Sequence, residues 1–116
     1  MKLREILNII VDTLEFLACR MSTFKKRVQL VMHSQKWDSE KVSISLKFGL
    51  MIVEFFKLRA EYLSLEQRVK WECNAYSSEH LKVLLSRFER TVTIGENEIH
   101  QLRTMDICSD SGMDEV

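Results

Sequence analysis

At 116 residues, with no proline, three glycines and 46% hydrophobic side chains, the chain has the composition of one folded domain, not of a disordered segment or two independent cores. Seventeen basic side chains balance seventeen acidic ones, which excludes the one-signed field that concentrates nucleic acid or anionic membrane. The three cysteines, Cys19, Cys73 and Cys108, are odd in number and share no CxxC spacing, so a secreted disulfide scaffold is disfavoured and an intracellular compartment, cytoplasm or nucleus, is expected.

The N-terminus, Met1-Lys2-Leu3-Arg4 before an apolar stretch, imitates a signal peptide, but Asp12 and Glu15 interrupt the apolar region. The other apolar run, Phe48 to Val53, is too short to span a bilayer, and no membrane association is expected.

The first helix is expected over about residues 2–33, because apolar side chains alternate at spacings of four and three. Leu7, Leu14, Met21 and Val28 take position a of a heptad, and Leu3, Ile10, Leu17, Phe24 and Val31 take position d. Position f holds Glu5, Asp12, Cys19 and Lys26, an outer face that is polar except for one thiol. Ile6, Ile9, Val11, Phe16 and Leu30 widen the stripe and predict more than one neighbouring helix.

Periodicity lapses from His33 to Glu40, which predicts a turn with Asp38 or Ser39 as the next cap. Lys25, Lys26, Arg27 and Lys36 are expected near the end of the first helix, where the macrodipole favours positive charge.

A second helix is expected over about 39–75, with two apolar seams. One reads Ile44, Phe48, Met51, Phe55, Leu58, Tyr62, Leu65, Val69; the other reads Val42, Leu46, Gly49, Val53, Phe56, Ala60, Leu63. Offset by two residues, they lie about 200° apart. Such a helix is expected to be the central one, sandwiched between the other two. Residues 42–48 and 91–95 also fit the period-two pattern of strands, a rival reading in which they pair as a small sheet.

A second turn is expected over residues 74–78, with Ser77 or Ser78 as cap. The third helix, about 79–105, carries Leu81, Leu85, Phe88, Val92, Gly95, Ile99 and Leu102, and residues 106–116 read as an acidic flexible tail.

No constellation of catalytic, cofactor-binding or metal-ligating residues emerges. The glycines are isolated, and His33, His80 and His100 are far apart without ligand spacing. Lys25, Lys26, Arg27, Lys36, Lys41 and Lys47, with Trp37 among them, form one basic cluster that phosphate contact would require. Leu81-Lys82-Val83-Leu84-Leu85 resembles the LxxLL box by which coactivators dock on nuclear receptors, and the resemblance implies Leu81, Leu84 and Leu85 as anchors. Asp110-Ser111-Gly112 resembles the start of a phosphodegron, with Glu115 in place of its second serine, and Asp114-Glu115-Val116 resembles a PDZ-type ending.

These features predict an all-α fold, an antiparallel up-down-up bundle of three long helices with coiled-coil-like packing. The expected function is a non-enzymatic scaffold or adaptor that joins protein partners, or a second copy as a homodimer, through helix packing. The residues expected at that interface are Phe48, Phe55, Phe56, Leu58, Tyr62, Leu65 and Val69. One alternative is a small chaperone or regulator that sequesters a partner helix. A third is a nucleic-acid-binding protein using the Lys25 to Lys47 cluster, which the balanced charge disfavours.

Overall fold

The computed structural model describes residues 2–31, 37–73 and 79–105, with side chains over 2–31, 40–68 and 79–105. Three helices account for nearly all of this: α1 (Leu3–Val31), α2 (Trp37–Cys73) and α3 (Glu79–Thr104). Residues 42–48 and 91–95 lie inside α2 and α3, and no strand occurs among the described residues. Two short strands are marginal by themselves, whereas the helical registers bury the same apolar side chains. The turn expected from His33 to Glu40 is corrected at its end, where residues 37–40 already belong to α2; residues 33–36 and the turn expected over 74–78, with the Ser77 and Ser78 caps, Lys36 and the tail from 106, lie outside the described residues, as do the side chains of Asp38 and Ser39.

The heptad of α1 becomes the core. Leu7, Ile10, Leu14, Leu17, Met21, Phe24 and Val28 are buried, and Leu3 and Val31 are partly buried against them. Val11 and Ala18, one column beyond a, are buried too, so the apolar stripe is wide enough for two neighbours.

This width settles which helix is central, and it is not the expected one. Helix α1 packs along both α2 and α3, which approach each other over only a short stretch. The sandwiched helix is therefore α1. One seam of α2 (Ile44, Phe48, Met51, Phe55, Tyr62) is buried, while the other faces outward.

Cross-helix pairs fix the directions. Arg87 of α3 meets Asp12 and Glu15 near the start of α1, and Glu98 meets Lys25 further along, so α1 and α3 run the same way. Phe55 of α2 lies against Gly95 of α3, and Tyr62 stacks on Phe88 with ring centroids 3.8 Å apart, so α2 runs against α3.

The buried stripe of α3 runs through Leu81, Leu84, Phe88, Thr91, Gly95, Glu98 and Leu102, leaving Leu85 and Val92 only partly buried at its edge. The expected stripe was centred slightly to one side of this. The rotation lets Gly95 face Phe55 and lets Glu98 reach Lys25.

Charged pairs seal the α1/α3 seam. Lys25 Nζ donates to Glu98 Oε1 and to Gln101 Oε1, both at 2.6 Å. This cross-helix role replaces the expected helix-end role, since the last turn of α1 contains no basic residue and the dipole's influence fades beyond it. Arg87 donates to Asp12 Oδ1 at 2.6 Å, to Glu15 Oε1 at 2.9 Å and to Asn8 Oδ1 at 3.2 Å. Hydrogen bonds to Glu15 first, and then to Asp12, raise its pKa above the ordinary arginine value. Arg87→Ala is expected to lower stability by about 1 kcal/mol, because the acceptors are exposed enough for water to replace the guanidinium. Urea denaturation at low and high salt checks this, and the loss should shrink as salt screens the cluster.

Candidate protein-protein interface

With one seam of α2 packed inward, the other meets solvent. Val42, Leu46 and Val53 are each about two-thirds exposed, Leu63 and Phe56 are exposed to a lesser degree, and Gly49 and Ala60 complete the repeat. Spacings of four and three continue unbroken from residue 42 to 63, three heptads and about 31 Å at 1.5 Å per residue. Scattered surface leucines need no explanation, whereas a continuous seam of coiled-coil spacing on the outside of a bundle exceeds what the fold of one chain uses.

Local contacts shape this face. Arg59 lies over the Phe56 ring at 5.4 Å from its centroid and pairs with Glu96 of α3 at 2.7 Å, so one edge of the seam is braced. Phe56 meets the neighbouring Phe55 edge to face at 5.7 Å, which links the outer surface to the core. At Gly49 an added Cβ would meet nothing within 4 Å, so no neighbour in the chain requires glycine there.

The other edge opens on a groove of about 700 Å³ between α1 and α2. Phe16, Leu50 and Met51 form its apolar walls, and Arg20, Arg27, Lys47 and Glu54 its charged rim. Phe16 is 62% exposed, with Arg20 at 5.8 Å from its ring centroid. Ile9 and Leu30, on the same column of α1 as Phe16, are also exposed and extend the apolar surface beyond α2.

The residues expected at the interface divide sharply. Phe48, Phe55 and Tyr62 are buried, and Leu58 and Leu65 are partly buried against the core, so these five serve the bundle itself. The reason is the register: they belong to the seam that α1 and α3 cover. Only Phe56 stands on the outward seam, and the side chain of Val69 lies outside the described residues. Leu50, 71% exposed, belongs to neither heptad series and was missed; its place one residue after Gly49, on the edge facing α1, was the available signal.

The leucine box is likewise turned inward. Leu81 and Leu84 are buried and Leu85 is partly buried, so docking through them would require α3 to leave the bundle. Of the basic cluster, Lys25 is held by Glu98 and Gln101, and Lys41 also has a partner within the chain. Lys26, Arg27 and Lys47 are exposed, with Arg27 and Lys47 on the groove rim, and Lys36 lies outside the described residues.

Among the described residues, no group of three or more His, Cys, Asp or Glu side chains is placed to hold a metal ion. No helix among them is long and apolar enough to cross a membrane. Comparison with protein families, with curated proteins and with solved structures found no match.

Proposed function

We propose that this chain is a non-enzymatic assembly subunit, a scaffold or adaptor that associates with other helices through the outward seam of α2. The observation that carries this reading is the unbroken heptad pattern from Val42 to Leu63 on the solvent side of a helix whose opposite seam is already buried. Selection for folding alone maintains one apolar face on a helix packed from one side; a second face with coiled-coil spacing is what a partner helix needs.

The test combines light scattering, an apolar-surface dye and the substitution Val53→Glu. Val53 is 65% exposed, so the variant should lose no more than about 0.5 kcal/mol of stability. A carboxylate in the middle of a helix-helix seam is strongly unfavourable when buried, so association and dye binding should both fall. A wild-type chain that stays monodisperse as a monomer and binds no dye would remove the support for this reading.

The groove beside the seam favours a second reading, a chaperone or regulator that holds a partner's helix between α1 and α2. Its apolar walls and charged rim suit one face of an amphipathic helix. That reading predicts a large rise in stability when the partner is added, by mass action on the native state.

A further inference from the structure

We infer that the occupant of the α1/α2 groove is an acidic amphipathic helix of another protein, whose carboxylates flank its apolar stripe and meet Arg20, Arg27 and Lys47. This rests on the groove reading above, a partner helix held between α1 and α2, and adds the sign of the partner's charge and the residues that select it.

The shape of the groove comes from its two walls. Along α1 it extends from Thr13 to Arg27, about 21 Å at 1.5 Å per residue, which a helix of about four turns fills. The walls are helices running in opposite directions, and the furrow between two such helices accepts a third lying alongside, as in a bundle. Leu17, Phe24 and Met51 are buried at its base, and the exposed Phe16 and Leu50 stand on either side. An occupant must therefore bring an apolar stripe.

Charge settles what borders that stripe. To the rim α1 contributes Arg20 and Arg27, and α2 contributes Lys47 and Glu54, three cations against one anion. All four are exposed, and none has an ion-pair partner among the described residues. The seams that the chain closes by itself are bordered differently. Between α1 and α3, Lys25 meets Glu98 and Arg87 meets Asp12 and Glu15; between α2 and α3, Arg59 meets Glu96. At each of those seams one helix supplies the cation and the other the carboxylate. The groove has its cations already, so the helix that closes it supplies the carboxylates.

The placement of the cations is specific. Because α1 and α2 run in opposite directions, Arg20, Arg27 and Lys47 stand toward the end of α1 and the start of α2, while Glu54 stands at the far end beside Thr13. Arg20 and Lys47 belong to opposite walls, so the partner's carboxylates lie on both flanks of its stripe, in the half that rests there. A second copy of this chain does not offer such a helix in the outer seam of α2. The charged side chains nearest that seam, within about 90° of its centre, are cations, the exposed Lys57 and Arg68 among them, and they would meet the cationic rim.

The test is fluorescence anisotropy of the full chain with two synthetic peptides of about 16 residues, cross-linked on the outer face so that they are helical before binding. Both carry the same leucine stripe, flanked by glutamates in one and by lysines in the other. The glutamate peptide should bind about tenfold more tightly, and its advantage should shrink as salt rises. Combining Arg27→Glu with Lys47→Glu changes exposed side chains only and should reverse the preference. Equal binding of the two peptides overturns the acidic partner and leaves the groove reading standing, whereas binding of neither removes both. A preference that survives the double reversal places the peptide elsewhere and overturns the inference. So does a chain that dimerises alone through a contact the glutamate peptide dissolves, since a second copy then fills the groove.

Discussion

Replacing Phe55 with alanine is expected to destabilise the bundle by about 3–5 kcal/mol, and the same change at Phe56, its immediate neighbour, by no more than about 1 kcal/mol. Phe55 is completely buried and closes the space between α2 and α3 at Gly95, whereas Phe56 is 39% exposed on the outer seam. Removing the first ring deletes its transfer energy and leaves a cavity that three stiff helices fill poorly. Removing the second exposes little that water does not already reach. Urea unfolding of the two variants in dilute solution measures the contrast; equal midpoints would contradict the burial of Phe55 alone, and a reversed order would mean that the inward and outward seams of α2 are exchanged.

The second large effect comes from adding one methyl group. A Cβ on Gly95 would fall inside the edge of the Phe55 ring, and that ring has no solvent-facing path along which to swing aside. Gly95→Ala should therefore destabilise by about 1–2 kcal/mol, an overpacking cost of about 1–3 kcal/mol reduced by the better helix propensity of alanine. At Gly49, where a Cβ meets only open space, the same substitution should raise the stability of the isolated chain by about 0.5–1 kcal/mol. Two glycines in helix interiors thus give opposite signs, because only one is occupied by a neighbour. Combining Phe55→Ala with Gly95→Ala should cost less than the sum of the two, since the methyl then enters the space the ring has left.

How far the sequence revealed this arrangement differs from helix to helix. In α1 the alternation from Leu3 to Val31 was fully legible, because one face is apolar and its opposite face carries Glu5, Asp12 and Lys26. In α2 both seams are apolar, and an apolar face looks the same whether another helix of the chain or a separate molecule covers it. Phe48, Phe55 and Tyr62 drew attention as interface residues through their size, yet size is also what a core between three helices demands.

The clue to centrality lay in α1, where Val11 and Ala18 extend the stripe by a third column and admit a second neighbour. The cross-helix partners were out of reach. Arg87 with Asp12 and Glu15, and Lys25 with Glu98, are separated by more than seventy residues and follow no local spacing rule. In α3, Thr91 displaced Val92 from the core because the stripe is aimed by Gly95 and Glu98 together, a constraint set by two neighbours at once.

The outer seam of α2 is open within one chain, and the proposed function requires assembly to close it, a difference that thiol reactivity reads directly. In a background with Cys19, Cys73 and Cys108 replaced by serine, Val53→Cys should alkylate at the rate of an unprotected thiol in dilute solution and become progressively protected as concentration rises. Met51→Cys, two residues away on the inward seam, should react slowly at every concentration. A thiol at position 53 that stays protected at the lowest concentration would mean the chain covers this face itself, and one that never becomes protected would mean the face pairs with no second copy.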